Sequence, residues 1–281
     1  MPNAISLHLG LNSVDPGCYR GWSGTLCACE NDARAMQAVA DAQGFTSQLL
    51  LGAAATRANL VAAMDRAAAA LAPGDLLVLT YSGHGASLPD RSVDEPGQRD
   101  QAWCLHDGLF IDDEIHDRLC AFAAGVRVLV VSDSCFSGSV TREDQVKLAT
   151  VPARRASAPR NGSPAAPGRR APGQWVRAVL RTHAAEYAAR KAAVAASQAQ
   201  DPAAGVILLA ACEDLQTAED GERHGLFTEA LLATWSDGGF VGGHEAFIAQ
   251  IRSRVGAAQT PTLFLAGRIE PSFLKARPFT P

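Results

Sequence analysis

Two residues of this chain have the chemistry and the setting of a nucleophile and its base. His84 follows the apolar run of DLLVLTYSGHG at 75–85, and Cys135 follows that of VRVLVVSDSCFSG at 126–138. Each run reads as a buried parallel strand that ends in small residues and glycine, where the chain turns sharply. Side chains just beyond the carboxyl ends of neighbouring strands gather at one edge of an open α/β sheet. A thiol and an imidazole meeting there can work together, the imidazole taking the thiol proton as sulfur attacks. Alone, a cysteine after an apolar strand is ordinarily a small buried hydrophobe, and Gly83 and Gly85 need only serve a turn. It is the equivalent placement of both residues, 51 positions apart, that favours a catalytic pair.

That separation matches the spacing of about 50 residues between histidine and cysteine in caspases. YSGHG at 81–85 and DSCFSG at 133–138 resemble the paired signatures of caspase-like cysteine peptidases. The aspartate two residues before the cysteine is similar to the metacaspase and orthocaspase branch. Further segments extend the resemblance along nearly the whole chain. ISLHLGLN at 5–12 is similar to a first strand and ENDARAMQAVADAQGF at 30–45 to the following helix. GLFIDDEIHDRL at 108–119 resembles the segment before the nucleophile strand, and VILLAACEDLQTAED with HGLFTEALL, within 206–232, the small-subunit half.

The resemblance implies an oxyanion hole made by the backbone N–H groups of Gly85 and Cys135. Glycine suits position 85 because backbone there must approach substrate closely. It also implies a pocket for the residue preceding the cut, built from Ser82 and Asp133, each two residues before a catalytic residue, and from Cys29 and Asp32. Two carboxylates in one pocket repel each other and call for a cation between them. A guanidinium, with its planar fork of donors, suits them better than an ammonium. The expected activity is thus cleavage of polypeptides after Arg, then Lys, with no cofactor needed for the chemistry. The readings that compete are asparaginyl cleavage by a similar dyad, or a silent sensing or scaffolding module in a cell-death or defence pathway. Asp100, Asp112 and Asp113 resemble acidic positions that hold an activating calcium ion in some metacaspases. The balance runs against calcium, because Arg142 stands where that pattern places an acid, with Glu143 and Asp144 as the substitutes.

The elements that must position these groups alternate between strand and helix, which predicts a mostly parallel six-stranded sheet in a three-layer α/β/α fold. The patterns predict strands near 5–11, 47–51, 76–82, 126–132, 206–210 and 262–266. They predict helices over 30–43, 56–72, 112–123, 174–198, 225–236 and 243–258. The whole chain reads as one domain, with a large-subunit-like part at 1–150 and a small-subunit-like part at 175–281. Between them, 151–174 is rich in Pro, Gly, Ser, Ala and Arg and too poor in apolar residues to order itself, which predicts a mobile surface loop. An Arg-directed peptidase carrying such a loop offers itself a substrate, with self-cleavage expected after Arg155 or Arg170.

Composition sets the outer bounds. The net charge of −4 conceals nine basic residues and a single acid between Arg154 and Lys191. This basic stretch either pairs with the acidic remainder or is simply solvated. Without interleaved aromatics, nucleic-acid binding is disfavoured. Seven cysteines with no CxxC pair read as thiols, and Cys27 and Cys29 form only an isolated CxC. Phosphate-loop, dinucleotide, zincin and α/β-hydrolase motifs are absent. No signal peptide or membrane-length apolar run is legible, so the expected location is the cytoplasm. With no second domain legible, any activator, whether an ion, a small molecule or a partner protein, is expected to act on this domain directly.

Overall fold

A computed structural model describes residues 2–88, 100–135, 168–197, 200–213, 216–257 and 259–281. In chain order the first half holds β1 (Ala4–Gly10), α1 (Cys29–Ala42), β2 (Thr46–Leu51), α2 (Arg57–Ala70) and β3 (Leu76–Ser82). It continues through β4 (Gly85–Ser87), β5 (Gln101–Leu105), β6 (Gly108–Ile111), α3 (Asp112–Cys120) and β7 (Arg127–Asp133). The second half holds α4 (Gly173–Thr182), α5 (Ala184–Val194), β8 (Gly205–Ala210), α6 (Leu226–Trp235), α7 (His244–Val255), β9 (Thr262–Gly267) and α8 (Pro271–Lys275).

Six strands form one sheet in the order β2-β1-β3-β7-β8-β9, parallel except for the β8–β9 pair. The central strands are buried on both faces, which is why they read as continuous apolar runs. Strand alternation sends Leu77, Leu79, Val128 and Val130 to one side, against Leu60 and Met64 of α2 and Ile115 of α3. Val78, Leu129, Val131 and Leu209 face the other side, against Met36 of α1, Phe227 of α6 and Phe247 of α7. Three layers result, the mostly parallel six-stranded sheet between helices expected from the strand pattern.

Two departures from the sequence reading matter for the site. The helix expected over 174–198 is two helices, because the backbone at His183 (φ −110°, ψ 26°) leaves helical geometry. The break gives each piece its own buried pair, Val176 with Val179 in α4 and Tyr187 with Val194 in α5. The second departure is a small antiparallel sheet, β4-β5-β6, whose strands of three to five residues are too short to show a period. Its role is positional. Trp103 of β5 stacks on Tyr81 at 4.5 Å between centroids and donates its indole N–H to Ser132 Oγ at 3.1 Å. The small sheet is thereby fastened to the ends of β3 and β7, where the reactive residues lie. Among the described residues, no helix is long and apolar enough to cross a membrane.

Candidate active site

Register decides the level at which the two reactive residues leave the sheet. β3 and β7 are parallel neighbours, with Ser82 opposite Asp133. His84 and Cys135 both lie two residues further on, so they leave the sheet at one level. The His84 carbonyl is held by the Tyr81 hydroxyl at 2.7 Å and the Cys104 N–H at 2.9 Å. Its ring lies 4.8 Å from the Trp22 ring, centre to centre. Nε2 donates to the Gly24 carbonyl oxygen at 2.9 Å. That bond puts the ring proton on Nε2 and leaves Nδ1, buried and without a hydrogen-bond partner among the described residues, as the basic nitrogen. Burial lowers the His84 pKa to about 4, so the ring is neutral at pH 7. The Cys135 thiol is held below its ordinary range, first by a hydrogen bond with Cys212 and then by the Ala218 N–H, which lies 3.1 Å from Sγ. A neutral imidazole and an acidified thiol suit proton transfer from sulfur to nitrogen. Gly24 is a backbone group, so residue types gave no sign of its part.

Between these groups runs the chain's own segment 168–171. The Arg169 carbonyl oxygen accepts from the Gly85 N–H at 2.9 Å and the Cys135 N–H at 3.4 Å. These are the two amides that the resemblance implied as an oxyanion hole, and both point at one carbonyl. Arg169 N–H donates to the Ala218 oxygen and Ala171 N–H to the Gly85 oxygen, each at 2.9 Å. Gly168 bridges to Glu219 and Arg170 to Gly85. The segment thus lies as an added strand, the way extended peptides bind at sheet edges. A Cβ on Gly85 would sit 1.7 Å from the Cys135 carbonyl oxygen, so only glycine permits this approach.

The Arg169 side chain is fully buried among acids. Nη2 pairs with Asp32 at 2.7 Å and Asp220 at 2.9 Å, while Nη1 pairs with Asp133 at 2.9 Å. Nη1 also donates to Ser82 Oγ at 2.9 Å, and Nε to Asp220 at 3.3 Å. The structure therefore brings Asp32, Ser82 and Asp133 around one guanidinium, with Cys29 buried alongside, its thiol pushed by burial up to about 12. Burial alone would raise Asp32, but His224, Arg169 and Ser82 hold it below its ordinary range. Burial pushes Asp133 up, with Asp32 adding to the push and Arg169 opposing it. Both Thr228 donors, N–H at 3.1 Å and Oγ1 at 2.6 Å, fix Asp133 Oδ2. Asp220 was missed from sequence, although it closes the QTAED segment at 216–220. It accepts from the Cys27 N–H at 2.7 Å and the Ala28 N–H at 3.3 Å, and so ties the pocket to the start of α1. Gly225 leaves the guanidinium its room, since a Cβ there would approach Nη2 to 2.5 Å.

Of the two arginines favoured for self-cleavage, Arg155 lies outside the described residues. Arg170 sits one position past the pocket, its guanidinium donating to the Gln216 carbonyl at 3.0 Å. Arg169 fills the pocket instead. Residues 168–174, expected in a mobile loop, are docked in the cleft and then begin α4, because backbone pairing and acid contacts supply what their side chains lack in apolar surface.

The acidic positions expected to hold calcium are otherwise engaged. Lys191 of α5 pairs through Nζ with Asp100 and lies 3.5 Å from Asp113. Asp112 accepts from the Gln101 N–H at 3.0 Å and the Asp113 N–H at 3.1 Å. Among the described residues, no group of three or more His, Cys, Asp or Glu is placed to hold a metal. Arg142, Glu143 and Asp144 lie outside them. The ammonium of Lys191 thus pairs with two of the three carboxylates named for calcium.

The geometry agrees with what the chain is similar to. A family model described as the caspase domain matches residues 14–270. Metacaspase-1 of Cryptococcus neoformans var. neoformans serotype D is 33% identical over 149 residues, covering 48% of this chain and 31% of that protein. Metacaspase-1 of Saccharomyces cerevisiae is 33% identical over 150 residues, covering 48% and 33%. The matched stretch spans about a third of the length of these relatives. Among solved structures, a protein from Geobacter sulfurreducens superposes with a TM-score of 0.83 at 39% identity, covering 99% of each chain. Caspase-1 from Spodoptera frugiperda superposes with a TM-score of 0.52 at 9% identity, over 95% of this chain and 86% of that one, a likeness of fold.

Proposed function

This chain belongs to the caspase-domain family of cysteine peptidases, and on that premise we propose that it is an endopeptidase that cuts polypeptides after arginine, its own chain included, at the Arg169–Arg170 bond. The observation that carries the reading is the buried Arg169, whose guanidinium meets three carboxylates while its carbonyl accepts from two backbone amides. An ammonium has one nitrogen and could not serve carboxylates that Nε, Nη1 and Nη2 reach separately. A neutral asparagine side chain would leave the acids without a cation, which disfavours asparaginyl cleavage.

The chemistry follows from the atoms present. Cys135 gives its thiol proton to His84 Nδ1 while Sγ bonds to the Arg169 carbonyl carbon. The oxygen takes the negative charge facing the Gly85 and Cys135 N–H groups. Collapse breaks the carbon–nitrogen bond to Arg170, and the proton on Nδ1 passes to the departing amine. Water then attacks the thioester, returning its proton through His84 and releasing the Arg169 carboxylate. Gly24 holds the ring throughout by its bond to Nε2. No cofactor enters these steps, and Lys191 stands in for an activating cation.

The test combines intact mass with a peptide panel ending in Arg, Lys, Asn or Asp. Wild type yields 1–169 and 170–281 and prefers the Arg peptide. Cys135→Ala stays whole and inactive, and His84→Ala loses orders of magnitude in rate, because the two residues act as a unit. Appreciable cleavage by purified Cys135→Ala removes the assignment.

A further inference from the structure

The docked segment also describes the subsite next to the arginine pocket. Gly168 precedes Arg169 and pairs with Glu219 across an antiparallel bridge. A Cβ built on Gly168 falls 2.3 Å from Thr217 Cγ2, far inside van der Waals contact, and at an ordinary 3.7 Å from Thr217 Cβ. Threonine is β-branched and stiff about χ1, so its methyl does not swing aside as the end of a long side chain would. The backbone around it is committed too. Ala218 N–H points at Cys135 Sγ, and the Ala218 oxygen takes the Arg169 N–H. Glu219 N–H is held by Gln259 Oε1 at 2.9 Å. A retreat of this strand to admit a side chain would disturb both the nucleophile and the arginine backbone.

We propose that Thr217 closes this subsite to every residue larger than glycine, so that the substrates are extended segments bearing Gly-Arg before the cut. The inference rests on the arginine-directed reading above and adds a second required residue to it. Extended segments rich in glycine and arginine have that pattern, and this chain carries it at 168–169.

The test uses full-length protein and fluorogenic peptides of the form acetyl-Ala-Ala-Xaa-Arg, with Xaa as Gly, Ala, Val or Phe, beside a matched set ending in Asn. Wild type should favour Gly over Ala in kcat/KM by about 5- to 150-fold, the rate equivalent of a roughly 1–3 kcal/mol overpacking cost. In Thr217→Ala and Thr217→Ser, which both lack Cγ2, that ratio should shrink toward one. The chain's own bond supplies an independent measurement. Gly168→Val should stay whole, and Gly168→Ala should be cut faster when Thr217→Ala is added. Arginine cleavage indifferent to Xaa, or a Gly/Ala ratio unmoved in both Thr217 variants, overturns this inference alone. Turnover confined to the Asn set overturns the arginine reading instead.

Discussion

At the scale of single residues, the arginine pocket is a problem of charge. Three carboxylates surround one guanidinium, and all four groups are buried. Each carboxylate is fixed by something other than the arginine: Asp32 by Ser82 and His224, Asp133 by Thr228, and Asp220 by the Cys27 and Ala28 amides. Each acid is thus held by bonds that do not depend on the guanidinium, which lowers the cost of binding one. Asp220 alone meets both Nε and Nη2, so it should discriminate most between guanidinium and ammonium. Asp220→Asn keeps an acceptor for only one of the two amides and loses the charge. It should lower kcat/KM for Arg peptides by about 10- to 150-fold, the worth of a charged hydrogen bond at roughly 1.5–3 kcal/mol, and bring the Arg/Lys ratio down. Steady-state kinetics on paired Arg and Lys peptides measure this, and an unmoved ratio would take Asp220 out of the specificity account.

Secondary-structure elements place a second cation. α5 begins anew after the break at His183, and it carries Lys191 to Asp100, just before β5, and to Asp113 at the start of α3. If Lys191 supplies the charge that a calcium ion would bring, a chelator should leave peptide cleavage by wild type unchanged. Lys191→Ala should become responsive to added calcium. Titrating activity against free calcium in both proteins separates the cases, and a chelator-sensitive wild type would contradict the assignment. Elements were also where the sequence was most legible. All six strands of the main sheet lie within a residue or so of their expected places, because buried parallel strands make dense apolar runs bounded by turn residues. Likewise, the common level at which His84 and Cys135 leave the sheet follows from two strands with the same pattern. What could not be read were contacts made by backbone, such as the Gly24 carbonyl, and contacts between elements far apart in sequence. Lys191 is one of these, with no local pattern pointing to the acids near 100. Arg169 is another, because a run poor in apolar residues predicts mobility whenever a partner built elsewhere in the chain is invisible.

For the molecule as a whole, the position of the proposed cut has a mechanical meaning. Arg169–Arg170 lies between β7 and β8, which pair at the middle of the sheet from Arg127 opposite Gly205 to Ser132 opposite Ala210. Both strands are buried on each face, so cutting the connection removes neither their ladder nor their packing. Wild type after self-cleavage should run as two pieces in a denaturing gel and as one species in native size exclusion at the mass of the uncut chain. Pieces that separate without denaturant would show that the connection, rather than the sheet, holds the halves together.

If the segment 168–171 can lift from the cleft, the uncut protein is a two-population system. Only the fraction with this segment lifted away can receive a foreign peptide, and the apparent dissociation constant for that peptide is the intrinsic one divided by that fraction. If the docked form outnumbers the open form by roughly a hundred to one, external substrates are weakened about a hundredfold without any change in the pocket itself. The acids around Arg169 thus set two quantities together: how tightly an arginine is grasped, and how rarely the cleft is vacant. An activator need touch neither the thiol nor the imidazole. Favouring the lifted state is enough, and the strength of the internal latch becomes the threshold at which the protein responds.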